Sequence, residues 1–234
     1  MRIVGVVDDG PPATFGSDFR LLTEIVTKIG TSELTINDWI VNNGGTERDF
    51  ASFHHINVGE PVKDNGAQLV HAFESVTARQ DGFSNSVSNP KRFGKFDSVQ
   101  PNETEKVLFC VPLVGKDGKT KVMARNAEGS LGLSIEFDPK RLPYTHWENL
   151  PGASAIAFEP GTHFSDFWPK ELKAKRIKSL PPGENYPYGY TLSFLTSPHQ
   201  IRTVRDEIDH LRWTGSDGKI YHQTKFFPVK LADE

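Results

Sequence analysis

The 234-residue sequence carries a single cysteine, Cys110, and only two methionines. One thiol cannot form an internal disulfide, so the core alone must hold the fold, and a reducing compartment such as the cytoplasm suits the chain. An excess of either charge is also missing: 27 Lys and Arg against 30 Asp and Glu give a formal net charge of −3. Acids and bases are interspersed, and the basic footprint that nucleic acid or an anionic membrane requires is absent. Long apolar runs are lacking too. The opening MRIVGVVDDGPP is broken at Gly5 and is too short for a secretory signal or a bilayer span. Without such a signal, the acceptor pattern Asn102-Glu103-Thr104 reads as coincidence. What remains is a cytoplasmic protein with neither nucleic acid nor membrane as partner; its oligomeric state is not written in the sequence.

What is present points to strands. There are 20 Gly, 16 Pro and 16 Phe, a balance foreign to helical bundles. VLFCVPLV (107–114), ASAIAFEP (153–160) and YGYTLSFLTS (188–197) are β-branched or aromatic and bounded by turn residues. GKDGKTKV (115–122) and TGSDGKIYH (214–222) each place Asp-Gly between strand-like flanks and predict hairpins. The spacing fits an antiparallel sandwich or barrel. Two segments show helical spacing: Leu22, Ile25, Val26 and Ile29 in 19–30, and Ile201, Val204, Ile208 and Leu211 in 201–211. The polar, Pro/Gly-broken stretch 84–105 reads as a long loop.

FHHINVGEP (53–61) contains adjacent histidines. On a strand their side chains alternate, so Phe53, His55 and Asn57 share one face while His54, Ile56 and Val58 share the other. His54 then keeps aliphatic company and reads as a core-edge histidine satisfied by a backbone carbonyl. His55, beside the polar Asn57, is the better chemical candidate. Neighbours on opposite faces cannot chelate one ion without a bulge, which disfavours a metal pair.

The same alternation in ASAIAFEPGTHF (153–164) turns Ile156 and Phe158 inward and Ala155, Ala157 and Glu159 outward. Small neighbours leave open space around the Glu159 carboxylate, and Pro160-Gly161 end the strand at a rim where loops carry function. Taken alone, Glu159 reads as an exposed acid on a solvated face; beside His55 it becomes half of an acid–base pair.

LTINDWIVNNGG (34–45) followed by FHHINVGEPVKDNGAQLV (53–70) resembles the aldose 1-epimerase, or galactose mutarotase-like, superfamily, in particular a bacterial subgroup labelled a domain of unknown function. There an Ile/Val-x-Asp-x-Val-x-Asn strand precedes a His-x-Asn-x-Gly-x-Pro segment. HWENLPGASAIAFEPGTHF (146–164) is similar to a later block of that family, and SLPPGENYPYGYTLSF (179–194) to its Pro-Gly-Glu block. The resemblance runs from about residue 3 to residue 205. It implies one large antiparallel β-sandwich over 1–234, all-β with few short helices, and makes 19–30 strand. Members usually carry a further block of strands ahead of the first shared motif, so the chain reads either as a fragment or as an N-terminally shortened member whose site is completed differently.

The resemblance also implies a reaction: interconversion of sugar anomers by ring opening, an isomerase activity without cofactor or metal. The family's histidine acid maps onto His55 and its glutamate base onto Glu159. Trp147 matches an aromatic position that could stack on a sugar, or it is a core tryptophan. His163 either lines the cleft or caps a loop. Arg79 either holds a sugar substituent or makes a surface ion pair. Asn57 orients a hydroxyl, and His71 reads as structural. The partner implied is a small-molecule sugar. Catalysis predicts His55 and Glu159 facing one cleft with room for a sugar ring. Two alternatives stand beside it: a carbohydrate-binding sandwich without catalysis, and a cupin-like metal site built from His54, His55 and Glu60.

Overall fold

Residues 33–42 and 67–70 bury every second side chain, the period of a strand with one face on a core, and strands of the chain assemble into two facing sheets. The computed structural model describes residues 1–9, 19–79, 93–96, 105–149 and 155–227. In spatial order the larger sheet consists of β1 (Arg2–Asp8), β2 (Phe19–Val26), β3 (Glu33–Asn42), β15 (Asn185–Leu195), β11 (Gly132–Phe137), β10 (Thr120–Arg125), β6 (Ala67–Val70) and β8 (Lys95–Phe96). Every neighbouring pair in it is antiparallel. The second sheet runs β16 (Lys225–Phe227), β7 (Phe73–Ala78), β9 (Lys106–Pro112), β12 (Tyr144–Asn149), β13 (Ala155–Pro160) and β5 (Ile56–Val58). Only its β16–β7 pair is parallel. A small ribbon joins β4 (Arg48–Phe50) to β14 (Lys178–Leu180).

The core lies between the two large sheets. Ile36 and Ile40 of β3, Val122 of β10, and Ile135 and Phe137 of β11 face Val76, Leu108, Cys110, Ile156 and Phe158 from the second sheet. Each such side chain, fully buried, contributes roughly 1.5–3 kcal/mol. Tyr144 and Phe73 fill the centre: Tyr144 stacks on Phe137, and the Phe73 ring lies tilted against Tyr144 at 5.5 Å. Ile156 and Phe158 therefore do point inward, as their spacing predicts.

The two segments with helical spacing part company. Residues 19–26 are strand: Phe19, Leu21 and Ile25 pack on the core, and Ile29 lies 97% exposed in a turn. Sheet pairing on both sides outweighs the local period. Residues 201–211 are helical, within α2 (Pro198–Thr214). Ser197 caps that helix by accepting the Gln200 N–H, Pro198 opens it, and Ile201, Val204 and Ile208 bury against Leu113, Met123 and Leu195. Helix α1 (Trp168–Lys173) is a single short element.

Neither Asp-Gly turn closes a hairpin. Gly118 turns the chain with positive φ, yet it links β9 in one sheet to β10 in the other. Gly218 turns the chain just after α2, where no strand flanks it. An Asp-Gly pair fixes the turn geometry, while its flanks decide whether a ladder follows. The stretch 84–105 falls outside the described residues except for 93–96 and Glu105. Among the described residues, no helix is long and apolar enough to cross a membrane.

Candidate active site

The register of the second sheet assembles the site. Ile56 pairs with Phe158 and Asn57 with Ala157, and an isolated bridge between Phe53 and Gly161 continues that register past the end of β5. His55 therefore stands directly opposite Glu159, so both side chains leave the same face. Gly161 permits this closeness, since a Cβ there would lie 2.5 Å from the Phe53 Cβ. Thr145 pairs with Glu159 and Trp147 with Ala157 on the next strand. Val107 follows opposite Trp147, and the Arg79 N–H donates to the Val107 carbonyl at 2.8 Å. His55, Asn57, Trp147, Glu159 and Arg79 thus share the face turned away from the core.

On that face the His55 Nε2 lies 2.9 Å from the Glu159 Oε1. The two groups touch, where the sequence reading asked for a ring-sized space between them. Glu159 is only 3% exposed, whereas the His55 side chain is 39% exposed. Burial pushes the Glu159 carboxyl up to about 7; the Arg79 guanidinium pulls it down and the Glu105 carboxylate pushes it further up. Trp147 meets His55 edge-on with ring centroids 4.9 Å apart, and its indole N–H donates to Glu105 Oε1 at 2.6 Å. Trp147 is therefore no core tryptophan: its strand alternation sends it to the outer face while Tyr144 and His146 point inward.

A clamp after β13 walls this face. Phe164 stacks on Phe109 of β9 at 4.9 Å, and the Arg79 Nη1 donates to the Ser165 carbonyl at 3.4 Å. Glu171, wholly buried, accepts the Phe164 N–H at 3.1 Å and both Arg176 Nε and Nη2, at 2.8 and 2.6 Å. Arg176 also covers the Phe164 ring at 4.9 Å. No sequence motif announced this pair; a charged residue five positions from an arginine is too common a pattern. His163 packs edge-on against Phe53 at 6.1 Å, and burial lowers its pKa.

The remaining histidines sit elsewhere. His54 turns to the opposite face, where its Nε2 lies 3.2 Å from Asp38 Oδ2 and its ring packs on Tyr190 at 4.8 Å. The nearest polar group is thus a buried carboxylate, not the expected backbone carbonyl, and Nε2 makes no hydrogen bond; Asp38 occupies a core-facing position between Ile36 and Ile40. Because His54 and His55 diverge, they cannot share an ion as the cupin-like reading requires. Among the described residues no group of three or more His, Cys, Asp and Glu could hold a metal. His71 stacks on Phe73 at 4.5 Å, and burial drives its pKa down to about 3, which suits a packing role.

Residues 1–194 match the family model described as a domain of unknown function, DUF4432. No curated protein matches the chain. A crystal structure from Klebsiella pneumoniae subsp. pneumoniae, provisionally described as an aldose 1-epimerase, superposes with a TM-score of 0.84 at 25% identity. That match covers 98% of this chain and 59% of the other, so the chain spans about three fifths of that protein. A galactose mutarotase related enzyme from Lactobacillus acidophilus superposes with a TM-score of 0.57 at 14% identity, over 84% of this chain and 68% of the other. A galactose mutarotase-like protein from Lactobacillus casei gives 0.54 at 14%, over 82% and 69%. The last two show the fold alone. The sheet architecture and the family match agree, and the chain belongs to the DUF4432 family, with a galactose mutarotase-like β-sandwich fold.

Proposed function

We propose that the chain carries the acid–base pair of an aldose 1-epimerase-like isomerase and interconverts the anomers of a free sugar in the cytoplasm. The observation that carries this reading is the contact between His55 and Glu159 on the outward face of the second sheet. The exchanging hemiacetal has both its oxygens, the hydroxyl O1 and the ring O5, on one carbon. An acid and a base side by side can therefore serve both from one direction. Glu159 takes the O1 proton while protonated His55 gives one to O5; the C1–O5 bond breaks and C1=O1 forms. Rotation about C1–C2 turns the aldehyde. The new O5 hydroxyl then attacks C1 from the other face, returning its proton to His55 as Glu159 returns one to O1. Protons balance, and no oxidant or cofactor enters.

A carboxyl near pH 7 is a matched base for this task at neutrality. Each positioned proton transfer is typically worth roughly 10²–10⁴ in rate. Trp147 offers an aromatic edge beside His55, Asn57 a hydroxyl-binding amide, and Arg79 a cation for a sugar oxygen. His163 is assigned the cleft wall, next to Phe53. Polarimetry of freshly dissolved sugars tests the reading. Accelerated decay to the equilibrium rotation, lost in Glu159→Gln, supports it.

The same contact favours a second reading. A histidine already held by Glu159 leaves no ring-sized gap, which suits a carbohydrate-binding face without turnover. That reading predicts sugar binding in titration calorimetry, an unchanged mutarotation rate, and no effect of Glu159→Gln on the rate.

A further inference from the structure

Thr145 on β12 stands directly opposite Glu159, on the side away from His55. Its neighbours Tyr144 and His146 point into the core, so alternation sends the Thr145 side chain to the outer face. There it is only 1% exposed, and its Oγ1 is buried without a hydrogen-bond partner among the described residues. An unpaired buried hydroxyl costs stability, and such groups are uncommon in folded chains. Valine fills the same volume without that cost and suits a strand, so packing alone does not call for the hydroxyl. Across β12 from Glu159, Phe109 pairs with Thr145 and lies under Phe164 of the clamp. Two further unpartnered buried atoms, Ser165 Oγ and His163 Nδ1, belong to that clamp.

The backbone ladder fixes how the three residues line up. The Gly161 N–H donates to the Pro143 carbonyl at 2.9 Å, so Thr145 and Glu159, two residues farther along, form a hydrogen-bonded pair. The His54 N–H donates to the Pro160 carbonyl at 3.0 Å, which makes His55 and Glu159 the closer, non-hydrogen-bonded kind. Glu159 therefore has an imidazole on one side and a hydroxyl on the other. In the proposed reaction His55 serves O5 and Glu159 serves O1, both on C1. Along the row past C1, away from O5, the next sugar atom is C2, and its hydroxyl meets Thr145. Glu159, at 3% exposure, is sealed almost as tightly. A sugar that reaches its carboxylate reaches the neighbouring hydroxyl too.

We infer that Thr145 binds the 2-hydroxyl of the sugar and thereby selects aldoses that carry one. This rests on the acid–base reading, which fixes where C1 lies. A threonine hydroxyl both donates and accepts and carries no charge, so it matches a neutral hydroxyl of the ligand. Pairing with the 2-hydroxyl removes the cost of the orphaned Oγ1. A 2-deoxy sugar leaves that cost in place, and the site discriminates against it.

Mutarotation of D-glucose, D-galactose and their 2-deoxy forms by wild type, Thr145→Val and Thr145→Ser tests the inference. Relative to the uncatalysed rates, wild type should favour each 2-hydroxy sugar by about tenfold in kcat/KM. Thr145→Val should lose that preference, slowing the 2-hydroxy sugars about tenfold and leaving the 2-deoxy sugars unchanged. Thr145→Ser keeps the hydroxyl and should keep the preference. Thermal melts without sugar form a second arm. Removing an unpaired buried hydroxyl should raise the melting temperature of Thr145→Val above wild type. A wild type that exchanges none of the four sugars defeats the acid–base reading, and this inference with it. Exchange in wild type that Thr145→Val leaves alone, or slows equally for both kinds of sugar, defeats this inference only. A melting temperature lowered by Thr145→Val would give the hydroxyl a structural role and overturn it as well.

Discussion

The indole of Trp147 meets the imidazole of His55 edge-on at 4.9 Å, while its N–H is held by Glu105 at 2.6 Å. The ring therefore has a fixed plane beside the acid of the proposed pair. Trp147→Phe keeps an aromatic edge but loses the anchor, and should raise KM about tenfold with a small change in kcat. Trp147→Ala should cost about 10² in kcat/KM. Steady-state mutarotation kinetics separate this from mere packing, which would lower the melting temperature and leave KM alone.

Glu105 and Arg79 push the Glu159 carboxyl in opposite directions. As a base, Glu159 works deprotonated, so activity should rise with pH through an inflection near 7. Glu105→Gln removes a like charge and should move that inflection down. Arg79→Gln removes the stabilising cation and should move it up, each by as much as about one unit. Profiles of kcat/KM for the two variants moving in the same direction would contradict the assignment.

Glu159 also has a stability consequence. Its carboxyl titrates near 7 in the fold against an ordinary 4.5, so the folded state holds more protons between those values. Stability therefore falls as pH rises from 4.5 through 7, and the full cost is present above 7. Glu159→Gln removes a charge that burial disfavours. It should raise stability at pH near 8 by roughly 1–3 kcal/mol and change little near pH 4. Urea titrations at the two pH values read the difference.

Arg176 neutralises Glu171, which is wholly buried behind the wall of the site. Arg176→Ala strands that charge and should destabilise the chain by roughly 3–5 kcal/mol. Adding Glu171→Gln to it should recover much of the loss. Denaturant melts of the single and double variants form the check.

Much of this arrangement was legible in the sequence. Strand alternation alone puts His55 with Asn57, Ile156 with Phe158, and Glu159 on the outer face, because a period of two needs no tertiary information. Asp38 was legible as the acid of the Ile/Val-x-Asp-x-Val-x-Asn motif, but not its neighbour: His54, 3.2 Å away, comes from a distant part of the chain. The 19–26 strand was masked by helical spacing, since Leu22 and Val26 line up with Ile25 by chance and only pairing with β1 and β3 decides the matter. The Asp-Gly turns misled for a related reason. A turn signal is local, whereas which sheet its flanks join is settled by the core. The Glu171–Arg176 clamp depends on loop closure over Phe109, a long-range contact that no local pattern encodes.

The central claim is that His55 and Glu159 exchange protons with a hemiacetal. Magnetisation-exchange NMR on an equilibrated sugar, with α and β anomeric protons resolved, measures that event directly. Wild-type protein should produce α–β exchange well above the buffer rate, with His55→Ala and Glu159→Gln each slowing it by roughly 10²–10⁴. Anomeric signals that broaden on binding yet exchange at the buffer rate would contradict it, and would leave a sugar-binding sandwich in its place.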